Sequence, residues 1–215
     1  MDGIQDLEKE NLQIRLSIVN TAKPMEIRQG TLAHDGIGMN FDPLSKIQAF
    51  TKLMDTGLGN SVDLAFFKFC FVDFGPNTDV DKVFADYKKT LAGVQERYSK
   101  TRLIHMTVPL MEKQTGPKSW IKKLIGKPLS GYEDNIRINR FNDLLRAEYG
   151  KQGALFDLAG LESTHRDGGR STFVKDGKTY YSLASEYTND GGHLNEKGRK
   201  VVAEQLLILL ATLSR

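Results

Sequence analysis

The chain is predicted to be an α/β protein, a three-layer sandwich in which helices cover both faces of a parallel sheet. Three observations lead there. Strand-like and helix-like segments alternate through most of the 215 residues, the rhythm of βαβ units. Residues 62–72, VDLAFFKFCFV, are almost continuously apolar, as in a strand buried on both faces. Several intervening segments repeat apolar residues at helical spacing. The length suits one sizeable core, so residues 1–215 are expected to form a single domain.

The elements follow in order. Residues 2–12 read as the latter part of a helix, with Ile4, Leu7 and Leu12 on one side and Glu8, Lys9 and Glu10 on the other. Residues 14–19 alternate in polarity and suit a short strand. A Gly-rich loop, 30–40, leads to the helix entry Asp42-Pro43-Leu44-Ser45 and a helix to about Asp55, ended by Gly57 and Gly59. After the 62–72 strand and a turn at 73–77, Thr78 is a candidate N-cap for a helix to about Tyr98, with Val80, Val83, Phe84, Tyr87, Leu91 and Val94 inward. Residues 103–110 form a strand stopped by Pro109. A connection at 111–132, rich in lysine, glycine and proline, carries Trp120, Ile121, Leu124 and Ile125 as one-turn helix anchors. Its lysines at 118, 122, 123 and 127 read as a solvated face. A helix at 133–149, a strand at 154–159, a hairpin around Asp176-Gly177 and a final helix from Glu196 to about Leu213 complete the chain.

Composition narrows the function classes. Lys plus Arg number 30 against 27 Asp plus Glu, a net charge of +3. That balance, with no basic strip interleaved with aromatics, argues against a nucleic-acid partner. Cys70 is the sole cysteine, which excludes an internal disulfide and a multi-cysteine zinc site. The four histidines are scattered, so no metal site is expected. No apolar run reaches membrane-spanning length, and the polar, acidic start is no secretion signal. A cytoplasmic location is the default expectation, with the N-terminus read as incomplete.

The stretch richest in chemistry is 187–195, YTNDGGHLN. It sets Asp190 and His193 three residues apart in a turn with two glycines, which can fold both side chains to one side. A histidine held there can act as a general base, with the carboxylate orienting its ring and stabilising the imidazolium. In parallel α/β sheets ligands bind beyond the carboxyl ends of the strands. Gly38, residues 70–73, residues 107–109 and the Asp190/His193 turn all fall at or after such ends.

These residues resemble those of the SGNH (GDSL-type) serine hydrolases, flavodoxin-like α/β/α sandwiches that include esterases, lipases and carbohydrate deacetylases. The likeness covers nearly the whole chain. Its strongest carrier is Asp190-Gly191-Gly192-His193, which matches the family's Asp-x-x-His block before the last helix. The resemblance implies His193 as base, Asp190 as its orienting acid, Gly38 as an oxyanion N–H donor with Asn40 close by, and no cofactor. It further implies hydrolysis of an O-acyl ester on a carbohydrate or another small molecule. Two positions depart from the pattern. Where the family carries Gly-x-Asn-Asp, this chain has Lys68-Phe69-Cys70-Phe71-Val72-Asp73, without the oxyanion asparagine. The family's nucleophilic serine follows a first, central strand and precedes the helix placed here at 2–12. The resemblance therefore implies that the central strand is missing from this chain and that the serine is supplied upstream of Met1. In that order the absent strand separates 14–19 from 62–72; without it the two either pair directly or leave open edges.

The other candidates have blander readings. His34, beside Asp35, is a candidate for the substrate pocket, with a solvated loop pair as the preferred reading. His105 reads as a satisfied core residue and His165 as a loop residue. Cys70 reads as a small buried hydrophobe, Ser45 as a helix cap or surface group. Two functions follow: an ester hydrolase working through a serine, His193 and Asp190, or a non-catalytic binding protein that keeps the fold and cleft without a nucleophile.

Overall fold

The computed structural model describes residues 1–11, 14, 16–21, 28–116 and 131–214. The anchors expected around Trp120, the lysines beside them and Leu12 lie outside the described residues. The protein is mixed α/β, with short parallel strands and longer helices.

Its centre is an extended run at 102–106. Successive backbone N–H groups of a strand point to opposite sides, so one run can pair with two neighbours. The N–H groups of Arg102 and Ile104 donate to Asp63 O and Ala65 O, at 2.8 and 2.9 Å, reaching β3 (Leu64–Ala65). Those of His105 and Thr107 donate the other way, to Ala154 O and Phe156 O at 2.7 and 3.1 Å, reaching β6 (Leu155–Phe156). Thus β4 (Arg102–Leu103) and β5 (His105–Met106) are two halves of one strand in a parallel array.

The period-2 alternation sorts side chains to two faces. Ala65, Phe67, Phe69 and Leu103 join a core with residues of α2 (Pro43–Asp55), α3 (Val80–Arg97) and α4 (Glu133–Tyr149). Leu64, Phe66, Ile104 and Met106 pack instead with Val202, Leu206, Leu209 and Leu210 of α6 (Glu196–Leu213). Helices therefore flank both sides of the array. On the outer side, α1 (Asp2–Glu10) lies on α6: Ile4 is buried, and a Cβ on Gly3 would sit 2.4 Å from Arg199 O. Aromatic rings dominate the larger core. Phe141 meets Phe69 edge-on at 5.4 Å, a geometry that adds to the area each ring buries, and lies tilted against Phe74 at 4.8 Å.

The strands differ from expectation in extent and order. β1 (Ser17–Asn20) pairs in parallel with β2 (Thr31–His34), Ser17 opposite Thr31. The 14–19 segment thus pairs with 31–34 and not with 62–72. Among the described residues no ladder joins this pair to the central array, so the one continuous flavodoxin-like sheet expected from the sequence is not what the described strands form. Of 62–72, only Leu64–Ala65 ladders, and Phe71–Phe74 is a 3₁₀ turn. Cys70 caps that turn rather than lying in a strand.

Side chains explain why the ladders stop early. Past the array, Val108 N–H donates to Asn142 Oδ1 (2.7 Å), Leu110 N–H to Glu162 Oε2 (2.9 Å) and Met111 N–H to Asn135 Oδ1 (2.9 Å). Buried backbone donors must be paired; here side chains from α4 and α5 (Leu158–Glu162) take the place of a strand. The same economy ends the expected 154–159 strand after Phe156, where Asp157 accepts from Gly160 N–H and starts α5. Asp79, not Thr78, caps α3 through Lys82 N–H, while Thr78 Oγ1 donates to Asp73 O. The hairpin forms as expected: β7 (Thr172–Lys175) and β8 (Lys178–Tyr181) are joined by Asp176 and Gly177, both at positive φ. His105 is indeed buried and satisfied. Its Nδ1 lies 2.8 Å from Tyr87 Oη and its ring stacks on Tyr149 at 3.5 Å.

Candidate functional site

The turn before α6 is built by its own side chains. Thr188 Oγ1 accepts from the N–H of Gly191 at 2.9 Å. Asp190 Oδ1 accepts from the N–H groups of Gly192 (2.9 Å) and His193 (2.8 Å). Gly191 takes φ +87°, where a Cβ would be strained. Asn195 then closes the turn as N-cap of α6, accepting from Gly198 N–H at 3.0 Å.

This local network brings Asp190 and His193 together. His193 Nδ1 lies 2.7 Å from Asp190 Oδ2, with both side chains open to solvent. The backbone N–H groups of His193 and then Gly192, followed by the His193 ring, hold the Asp190 carboxyl well below the usual carboxylate range. An ionised carboxylate only accepts. The ring therefore carries its proton on Nδ1 and presents Nε2 as a base, and Nε2 makes no hydrogen bond among the described residues. Phe71 bounds the ring on one side, with centroids 5.6 Å apart at 69°.

Two other segments reach this turn. The 3₁₀ turn at Phe71–Phe74 carries Phe71, whose ring would lie 2.7 Å from a Cβ on Gly192. The segment after the central strand arrives at Glu112, whose N–H donates to Gly191 O at 2.8 Å. Residues 107–109, expected at the site, are buried elsewhere: Thr107 Oγ1 donates to Asp157 and accepts from Ala159 N–H. Glu112 takes their place.

The Gly38–Asn40 loop is tied to the 70–74 turn through a buried ion pair. Lys46, in the first turn of α2, sets Nζ 2.6 Å from Asp73 Oδ2, and both side chains are almost wholly buried. The same Nζ donates to Asn40 Oδ1 at 3.1 Å. Asp73 also accepts from the N–H groups of Phe41 (3.0 Å) and Cys70 (2.7 Å). Gly38 sits at φ +60°, and a Cβ there would come within 2.6 Å of Lys46 N, so only glycine fits against α2. Met39 and Phe41, either side of Asn40, are large apolar residues left exposed. Asp42, not Ser45, caps α2: its Oδ1 accepts from Ser45 N–H at 3.0 Å, while Ser45 Oγ accepts from Met39 N–H and donates to Asp42 O.

His34 ends β2, half-buried, and Asp35 does not pair with it. Asp35 accepts instead from Thr21 Oγ1 and Gly36 N–H. His165 is tied to Glu186, with Nδ1 3.1 Å from Oε1. Glu186, also bonded to Lys197, has its carboxyl lowered to about 2 by Lys197 first and His165 next. Among the described residues, no three His, Cys, Asp or Glu side chains gather as metal ligands would. No helix among them is long and apolar enough to cross a membrane. Sequence reasoning missed Lys46, Phe71 and Glu112. A lysine in an otherwise apolar helix start and Asp73 within FCFVDF were the available signals for the ion pair.

No protein-family model matches the chain, and no curated relative matches it in sequence. Solved structures do resemble it. A protein described as an acylhydrolase from Bacteroides fragilis aligns at TM-score 0.54 and 14% identity, over 97% of this chain and 96% of that one. A protein described as a platelet activating factor from Streptococcus pneumonia aligns at TM-score 0.51 and 14% identity, over 97% and 92%. The periplasmic domain of a lipopolysaccharide acetyltransferase from Salmonella ser. Paratyphi A aligns at 0.45 and 13% identity, over 85% and 72%. At such identities the likeness is one of fold.

Proposed function

We propose that this chain is an SGNH-type acyl-ester hydrolase, a single α/β domain over 1–215. His193 is the general base, Asp190 its orienting acid, and Gly38 N–H with Asn40 the oxyanion donors. His34 lines the pocket, and the nucleophile is a serine. The substrate is a small O-acyl ester, with acylated carbohydrate the leading class. The observation that carries the reading is the 2.7 Å bond from His193 Nδ1 to a strongly ionised Asp190, which leaves Nε2 free as a base. The fold shared with an acylhydrolase supports it.

In this reading Nε2 takes the serine proton as Oγ attacks the ester carbonyl. The carbonyl oxygen becomes an oxyanion facing Gly38 and Asn40. Collapse expels the alcohol, which receives the proton from His193. Water, deprotonated by the same nitrogen, then releases the acid and restores the serine. Asp190 stays charged throughout and stabilises the imidazolium.

A second reading has one observation in its favour. Among the described residues no serine hydroxyl hydrogen-bonds to His193, which suits a non-catalytic binding protein. Assaying p-nitrophenyl acetate hydrolysis by the 215-residue chain and by an N-terminally extended reading frame, each with His193→Ala, separates the two. The hydrolase reading expects slow turnover by the short chain and His193-dependent turnover by the extended one. An extended protein indifferent to His193 would sink it.

A further inference from the structure

We propose that Lys46, paired with Asp73, is a positioning residue that aims the Asn40 side-chain amide outward, so that Asn40 Nδ2 and Gly38 N–H form one oxyanion-binding pair. The proposal rests on the reading of the site as an acyl-ester site and says what holds its side-chain donor in place.

The energetics of the ion pair point away from a purely structural role. Taking an ammonium and a carboxylate out of water costs several kcal/mol per ion, and a well-packed apolar pair often does as well or better. Lys46 is moreover in the first turn of a helix, where the positive end of the helix dipole disfavours a cation. The pair does something apolar residues cannot. Asp73 has both carboxylate oxygens occupied, Oδ1 by Phe41 N–H and Oδ2 by Cys70 N–H and Lys46 Nζ. It thereby clamps the loop at 38–41 to the turn at 70–74, which touches His193 through Phe71.

Lys46 passes this order on to Asn40. An ammonium only donates, so it selects the carbonyl oxygen of the amide: Nζ lies 3.1 Å from Asn40 Oδ1. The amide orientation is then determined chemically, because Nδ2 facing Lys46 would set donor against donor. Asn40 itself is exposed, and its Nδ2 makes no hydrogen bond among the described residues. Two residues earlier, Gly38 N–H is also without a partner among them, whereas Met39 N–H is taken by Ser45. Two free donors, one held by a buried pair and one by a backbone that admits only glycine, thus flank an N–H that is already used. Preorganised donors of this kind stabilise developing negative charge without reorganising.

Backbone and side-chain amide spectra of the 215-residue chain, titrated with acetate as a carboxylate probe, test this without requiring turnover. Saturable shifts of the Gly38 N–H and the Asn40 Nδ2 protons are expected. Lys46→Met should move the Asn40 side-chain pair to solvent-like positions and weaken acetate at least tenfold, and Lys46→Arg should restore both. Asn40→Asp keeps an acceptor for Lys46 but exchanges the donor for a negative charge, so it is paired with the neutral Asn40→Ala, which removes the donor and leaves Lys46 its Asp73 partner. Both should keep the melting temperature close to the parent's while weakening acetate at least tenfold, and Asn40→Ala that binds acetate as tightly as the parent counts against the donor. Acetate that shifts neither group, or binds Asn40→Asp as tightly as the parent, overturns the proposal. An inactive extended protein that still binds acetate this way counts against the serine assignment alone.

Discussion

The ring of Phe71 stands edge-on against the ring of His193, and its tip occupies the space that any side chain on Gly192 would need. The centroids are 5.6 Å apart, and a Cβ on Gly192 would meet Phe71 at 2.7 Å. A residue of the buried turn at 70–74 thus limits where the histidine can lie, and the small residue beside the histidine is the condition for that contact.

Gly192→Ala should therefore displace Phe71 and free the His193 ring. The expected signs are loss of the ring-current shift on the His193 carbon-bound protons and a wider spread of ring positions. Adding Phe71→Leu should relieve the collision, so the two substitutions should couple by about 0.5–3 kcal/mol in a double-mutant cycle on stability. Strictly additive effects would show that the two residues do not constrain each other.

Asp190→Asn should preserve the turn, because its carbonyl oxygen can still accept from Gly192 and His193. It should lose the charge that keeps the His193 proton on Nδ1. Nitrogen shifts of the ring are expected to report a move of the proton toward Nε2. In a protein carrying the serine, kcat should fall on the order of a thousandfold or more. An unchanged tautomer would remove Asp190 from the role assigned to it.

Glu162 makes stability depend on pH. It is buried, and burial pushes its carboxyl up to about 8 against the opposing effects of Leu110 N–H and the Lys68 charge. A raised carboxyl keeps its proton in the fold while the unfolded chain gives its proton up. Its contribution is fully present below the ordinary value of 4.5 and is lost as pH rises through about 8. Glu162→Gln retains an acceptor for Leu110 N–H and does not titrate. The melting temperature of the parent relative to this variant should fall between pH 5 and 8 and level off above. A pH-independent difference would mean that Glu162 is not protonated in the fold.

Gly38→Ala combines a left-handed backbone with a collision against the backbone of α2. Losses of roughly 2–4 kcal/mol are expected in denaturant unfolding, with the Asn40 amide resonances displaced as the loop moves away from Lys46. A nearly neutral substitution would mean that the loop is free to shift, and that Gly38 is not held in place by α2.

What could be read along the chain was what neighbours in sequence decide. The pairing of Asp190 with His193 was legible because every partner of the Asp190 carboxylate, the Thr188 hydroxyl, the two backbone N–H groups and the ring, lies within three residues of it. The same holds for the hairpin at Asp176-Gly177 and for α6, whose cap Asn195 immediately precedes its first residue. Strand extents were misread for the complementary reason. An apolar run announces burial but not its hydrogen-bond partners, and at 107–111 those partners are Asn142, Glu162 and Asn135 from distant segments. Only the tertiary structure could decide that Lys46 meets Asp73, 27 residues away, and through it settles the orientation of Asn40. A buried charge has no signature of its own in a sequence. It becomes intelligible when the fold shows which opposite charge and which unpaired donors it was buried to meet.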